Sequence, residues 1–167
     1  MHALILTGDG VQDQEFIYPY YRLQEAGYEV TVAAKYGGSF TTIGGLTFRA
    51  NVNYDCGYID CDLLVIPGGV KSMERMRLED GLVEKVAAFH AAGKTIAAIC
   101  SAPLLLISAG LVKGRRLTCY PAWRVDIENA GGEWVDAPAV YDDRIITAQH
   151  YRNLGDWMSM TIGARFV

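Results

Sequence analysis

Apolar and polar positions fall into two kinds of block along this chain. Short apolar runs of four to six residues, bounded on at least one side by glycine, proline or a charged residue, take turns with longer stretches in which apolar residues recur every three or four positions. The short runs at 3–7, 29–34, 63–66 and 95–99 predict strands, and the most uniformly apolar of them predict strands covered on both faces. The longer stretches predict helices. Phe16, Ile17, Tyr20 and Leu23 mark one over 15–26, stopped by Gly27. Leu82, Val83, Val86 and Phe89 mark another over 82–92. Two more are predicted over 123–130, ended by Gly131-Gly132, and over 154–163, with Leu154, Trp157, Met158 and Ile162 on one face. Pro19 is the awkward residue of the first helix, since it should kink it or mark its first turn. Four glycines between 37 and 45 punctuate a looped hairpin with strand-like segments at 40–42 and 47–51. A short strand is predicted at 117–120, and 139–141 with 145–148 should form a hairpin around Asp142-Asp143.

Strands alternating with helices predict an α/β fold with a mostly parallel sheet and helices on both faces. Ligands of such sheets bind beyond the carboxyl ends of the strands. Three strand ends therefore draw interest: the loop at Gly8, the Pro67-Gly68-Gly69 turn, and Cys100. With 167 residues, one domain over 1–167 can bury its own core. A net charge of -4 argues against nucleic acid and anionic membrane surfaces as partners. No apolar run approaches a membrane span, and the first residues lack the basic start of a signal peptide, so the cytoplasm is the expected compartment. Cys56, Cys61, Cys100 and Cys119 show neither a zinc-site spacing nor a disulfide framework, and no metal or cofactor is expected.

Cys100-Ser101 lies between the predicted strand 95–99 and a second apolar run that Pro103 opens and Gly110 closes. Proline at the first turn and glycine at the stop are helix punctuation, so this is a sharp strand-to-helix turn. A nucleophile suits such an elbow, because its side chain is lifted off the sheet and the free N–H groups of the new helix face it. A free thiol with a pKa of about 8.5 is only roughly 3% thiolate at pH 7, and the helix start should lower that pKa. The alternative at this point is an inert core cysteine, a common fate of free thiols.

Linked motifs then carry a resemblance. Ile66-Pro67-Gly68-Gly69, Ala98-Ile99-Cys100-x-x-Pro103, Ser108 to Arg115, Thr118-Cys119-Tyr120-Pro121 and Asn129 to Asp136 stand in fixed order, with Glu15 to Gly27 before them. The chain resembles the ThiJ/PfpI superfamily, and most closely its PfpI-type branch of intracellular proteases and amidases. The resemblance implies a flavodoxin-like three-layer sandwich akin to the class I glutamine amidotransferase domain. It implies Cys100 as nucleophile and Glu15 as a carboxyl that hydrogen-bonds the sulfur. A protonated carboxyl would favour the thiolate, whereas a charged one would oppose it.

The departure is Ser101. Protease-like members carry His directly after the nucleophile, and a hydroxyl is no general base near pH 7. The Ser101 N–H can still serve as an oxyanion donor, with the Gly69 N–H as the second. Tyr120 stands where some superfamily members hold His, and a phenol is a donor at pH 7. Of the three histidines, His2 and His90 read as surface imidazoles. His150 ends the predicted strand 145–148 in a loop that borders the pocket in the family, as a base or ligand contact or as an ordinary loop residue. Glu74 matches a PfpI-branch glutamate that approaches a neighbouring subunit's site, or it is an interface or helix-start carboxylate beside Arg75 and Arg77.

The resemblance implies a cysteine-dependent enzyme whose thiolate attacks a carbonyl. The substrate class is an amide, or a 2-oxoaldehyde such as methylglyoxal in glyoxalase III or deglycase work. Peptide hydrolysis lacks its histidine. The alternative is a non-enzymatic redox-sensing or chaperone-like stress protein that uses oxidation of Cys100. The family further implies a homodimer or a hexamer.

Overall fold

The computed structural model describes residues 1–164; the last three residues of the expected 1–167 domain lie outside them. The strands are β1 (His2–Leu6), β2 (Glu29–Ala33), β3 (Ser39–Thr41), β4 (Thr47–Arg49), β5 (Leu63–Ile66), β6 (Thr95–Ile99), β7 (Arg116–Leu117), β8 (Glu133–Trp134), β9 (Ala139–Asp142) and β10 (Ile145–Ala148). The helices are α1 (Asp13–Glu25), α2 (Val70–Met76), α3 (Leu82–Ala91), α4 (Pro103–Ser108), α5 (Arg124–Asn129) and α6 (Leu154–Gly163). A six-stranded sheet runs in the order β2-β1-β5-β6-β10-β9. All its pairings are parallel except β10 with β9.

Two apolar faces on each central strand make this a three-layer structure, because successive side chains point to opposite sides. Leu4, Leu6, Leu64, Ile66, Ile96 and Ala98 pack with Met73, Met76, Phe89 and Leu105 from α2, α3 and α4. Ala3, Ile5, Val65, Ala97 and Ile99 pack with Phe16 and Leu23 of α1 and Trp157 and Met158 of α6. Phe89 and Trp157 are fully buried, and burying one large apolar side chain contributes about 1.5–3 kcal/mol.

Several elements differ from the sequence pattern. Gln12 caps α1 by accepting the Glu15 N–H at 2.8 Å, so the helix starts two residues before the predicted 15–26. Pro19 stays inside α1 and is buried there; it neither ends the helix nor marks its first turn. Helix α2 was not foreseen, since only Met73 and Met76 mark a helical face within seven residues. The β9–β10 loop is Asp143-Arg144 rather than Asp142-Asp143. Asp142 pairs with Ile145, and Asp143 and Arg144 both take positive φ, at 44° and 61°, as a two-residue primed turn requires. The predicted strand 117–120 ends at Leu117, because the Thr118 N–H turns to Thr147 Oγ1 and the Tyr120 N–H to the Cys100 carbonyl. The predicted helix 123–130 is a short 3-10 turn, Pro121–Trp123, followed by α5.

Candidate active site

The carboxyl ends of β5, β6 and β10 and the start of α1 meet around Cys100. Cys100 has φ of 63°, a left-handed conformation that costs a non-glycine residue about 1–3 kcal/mol. The fold holds it there from both sides. The Cys100 N–H donates to the Ala148 carbonyl at 2.9 Å, and the Cys100 carbonyl accepts the Tyr120 N–H at 3.0 Å. The half-buried side chain faces an open pocket of about 270 Å³, lined also by Gln12, Glu15, Ile43, Gly69, Val70, Tyr120, Trp123, His150 and Tyr151.

Glu15 is fully buried. Its Oε2 accepts the Gly68 N–H at 2.9 Å. Its Oε1 is buried without a well-aligned hydrogen-bond partner, while the Cys100 thiol and the Tyr151 N–H both act on the carboxyl. Burial pushes Glu15 up to about 7, against the opposing pull of Cys100, Gly68 and Tyr151. The Cys100 thiol is also pushed up, first by burial and then by Glu15, with the Ser101 N–H pulling the other way. This corrects the expectation that the helix start lowers the thiol. Helix α4 has only six residues, and desolvation outweighs it. The two groups titrate as a pair. One proton leaves near 7 and the second much higher, so above neutrality the pair holds a single proton, mostly on the sulfur. When that proton moves to Glu15, the sulfur becomes a thiolate facing an O–H donor.

Glycine is required at the turn above this pair. A Cβ on Gly68 would stand 2.5 Å from Glu15 Oε2, 2.8 Å from Cys100 Cβ and 2.9 Å from the Ile99 carbonyl oxygen. Gly69 has φ of 117°, and its N–H donates to Ser101 Oγ at 2.9 Å. Ser101 is fully buried beneath it. The expected pairing of Gly69 and Ser101 amides as oxyanion donors is therefore not assembled here. The Ser101 N–H faces the sulfur, and the Gly69 N–H is engaged by the serine hydroxyl.

Tyr120 and His150 stand in the same wall, their rings 5.6 Å apart and close to parallel. His150 also lies 3.8 Å from the Tyr151 ring. Its Nδ1 accepts the Arg152 N–H at 3.3 Å, which leaves the proton of the neutral ring on Nε2. Burial and the Arg152 charge lower its pKa. Neutral His150 therefore offers the pocket a donor rather than a base. Glu74 is not brought to this pocket. It is exposed on α2 and forms no ion pair among the described residues, while Arg75 pairs with Asp9 at 3.3 Å.

The other two histidines are more engaged than surface imidazoles. His2 Nε2 lies 2.7 Å from Thr31 Oγ1 and its Nδ1 3.6 Å from Cys61 Sγ. His90 Nε2 lies 2.7 Å from the Asp143 carbonyl. The sequence reading missed Gln12, Ile43, Val70, Trp123 and Tyr151. The aromatic spacing Tyr120-Pro-Ala-Trp123 and the pair His150-Tyr151 were available signals. Ile43 carried none, since long-range bonds lay the β3–β4 turn beside the pocket, among them the Ile43 N–H to the Val11 carbonyl at 2.9 Å and the Gly44 N–H to Asp13 Oδ2 at 2.9 Å.

Comparison with known proteins identifies the family and the fold. The profile of the DJ-1/PfpI family matches residues 1–163. Deglycase PfpI of Pyrococcus furiosus is 39% identical over 159 residues, covering 95% of each chain. Protein/nucleic acid deglycase 2 of Escherichia coli is 34% identical over 151 residues, 87% of this chain and 86% of that one. The crystal structure of Drosophila melanogaster DJ-1beta superposes with a TM-score of 0.91 at 26% identity, over 96% of this chain and 88% of that one.

Proposed function

This chain belongs to the DJ-1/PfpI family, and on that premise we propose that it is a cysteine-dependent glyoxalase or deglycase that converts 2-oxoaldehydes to 2-hydroxycarboxylic acids. The observation that carries the reading is the buried Glu15 carboxyl, pushed up to about 7 beside a strained Cys100 in an open pocket. The Cys100 thiolate adds to the aldehyde carbon. A carbon–sulfur bond forms, the carbonyl π pair moves to oxygen, and that oxygen takes the Glu15 proton. The Glu15 carboxylate then removes the proton on the former aldehyde carbon, and a proton is returned to the neighbouring carbon through an enediol. The resulting thioester is hydrolysed, releasing the 2-hydroxy acid and Cys100. One water is consumed and no oxidant is needed. Reversible adducts of such aldehydes with amines would be cleared as the free aldehyde is drained, which is deglycase work.

Amide hydrolysis asks more of the site, because the leaving amine must be protonated. Ser101 is bonded to Gly69, and neutral His150 is a poor acid, so peptidase activity should be negligible. Four free thiols fit a reducing compartment, and we place the protein in the cytoplasm as one domain over 1–167. A homodimer or hexamer completes the reading, with Glu74 on an exposed face available to a neighbouring copy. The test is proton NMR of methylglyoxal incubated with wild type and with Cys100→Ser. Lactate from wild type and none from Cys100→Ser supports the proposal. No lactate from wild type, or equal lactate from both, overturns it.

A further inference from the structure

Among the described residues, the wall of the Cys100 pocket contains no lysine and no arginine. Its ionisable members are the Cys100–Glu15 pair, His150 and two tyrosines, while Ile43, Val70 and Trp123 supply apolar surface. Ile43 is 62% exposed and Val70 43% exposed, so the mouth presents apolar side chains that a ligand could cover. Cations flank the mouth without lining it. Lys71 follows Val70 on the exposed side of α2, and Arg152 follows Tyr151 in an exposed turn.

We infer that this site selects uncharged 2-oxoaldehydes with an aromatic or bulky apolar tail, that it disfavours those carrying a carboxylate or phosphate, and that Trp123, Ile43 and Val70 determine this preference. The inference rests on the glyoxalase reading above and names the substrate class within it. The reacting pair carries one negative charge when it is competent to attack, and nothing in the wall offsets a second on the substrate. An anion brought into the pocket would lose water and gain no cation. The pocket volume of about 270 Å³ equals roughly nine water volumes at about 30 Å³ each. A three-carbon aldehyde fills the smaller part and leaves the Trp123 and Ile43 surfaces wet. An aromatic tail covers them and gains from ring contact as well as burial. The chemistry is unchanged: phenylglyoxal plus one water gives mandelic acid by the steps above.

The experiment compares kcat/KM of the full chain for phenylglyoxal, methylglyoxal and hydroxypyruvaldehyde phosphate, followed by Trp123→Ala and Val70→Lys. Phenylglyoxal should exceed methylglyoxal by roughly tenfold or more, the scale on which a pocket discriminates by apolar contact. The phosphate should fall below methylglyoxal by a similar factor. Trp123→Ala should bring the phenylglyoxal to methylglyoxal ratio towards one, and Val70→Lys should raise the phosphate relative to methylglyoxal. The wild-type ratios need no variant to fold. Turnover of methylglyoxal with phenylglyoxal no better, or with the phosphate equally good, overturns the inference and leaves the glyoxalase reading standing. No turnover of any of the three overturns both.

Discussion

Replacing Glu15 by Gln tests the buried proton through stability. Glu15 rises from 4.5 in the unfolded chain to about 7 in the folded one, so the folded state binds its proton more tightly. A carboxyl shifted this way contributes stability that is fully present below 4.5 and is lost as pH rises through about 7. At about 1.4 kcal/mol per tenfold, the gap is worth about 3 kcal/mol. Glu15 is fully buried, so solvent does not screen this gap. Gln cannot ionise, yet it keeps an oxygen for the Gly68 N–H and an N–H₂ for the sulfur. The variant's stability relative to wild type should therefore move by about 3 kcal/mol in its favour from about pH 4 to about pH 8. Urea unfolding at steps across that range, at constant m-value, reads the difference directly. A difference that stays flat across the range would refute a carboxyl held protonated by burial.

Three further outcomes follow from the same geometry. Gly68→Ala should abolish turnover and destabilise the fold by about 1–3 kcal/mol, since its Cβ meets both Glu15 and Cys100; urea unfolding beside a methylglyoxal assay checks this, and an active Ala variant would contradict it. Ser101→Ala orphans the Gly69 N–H and should lower stability by about 1–3 kcal/mol, whereas an unchanged unfolding midpoint would deny the bond. The wild-type rate profile of kcat/KM should rise with pH through about 7, where the Cys100–Glu15 pair loses one proton, and Glu15→Gln, which can neither give nor take that proton, should abolish turnover; a flat wild-type profile or an active Gln variant would place the titrating group elsewhere.

The central sheet was legible because β1, β5 and β6 are buried on both faces and show it as unbroken apolar runs. The elbow was legible from Cys100 to Pro103, since the proline fixes where α4 begins. Helix α2 was hidden by its brevity, and the one-residue offset of the β9–β10 turn by the left-handed conformations of Asp143 and Arg144, neither of which is glycine. Glu15 and Cys100 could be named in advance, but the direction of the thiol shift could not. It depends on how deeply the sheet, α1 and the Gly68 turn bury the pair, a matter of packing rather than of neighbours in sequence. The same holds for Ser101: its type was readable, whereas its bond to Gly69 arises where two strand ends meet.

The most direct test of the account is to find the covalent intermediate. Wild type turning over methylglyoxal is quenched with acid, digested, and each of the four cysteine peptides is weighed by mass spectrometry. The account predicts an added methylglyoxal mass on the Cys100 peptide, appearing at the start of turnover, absent from the peptides of Cys56, Cys61 and Cys119, and gone when substrate is exhausted. Steady lactate production with Cys100 unmodified throughout, or with the adduct on another cysteine, would contradict it.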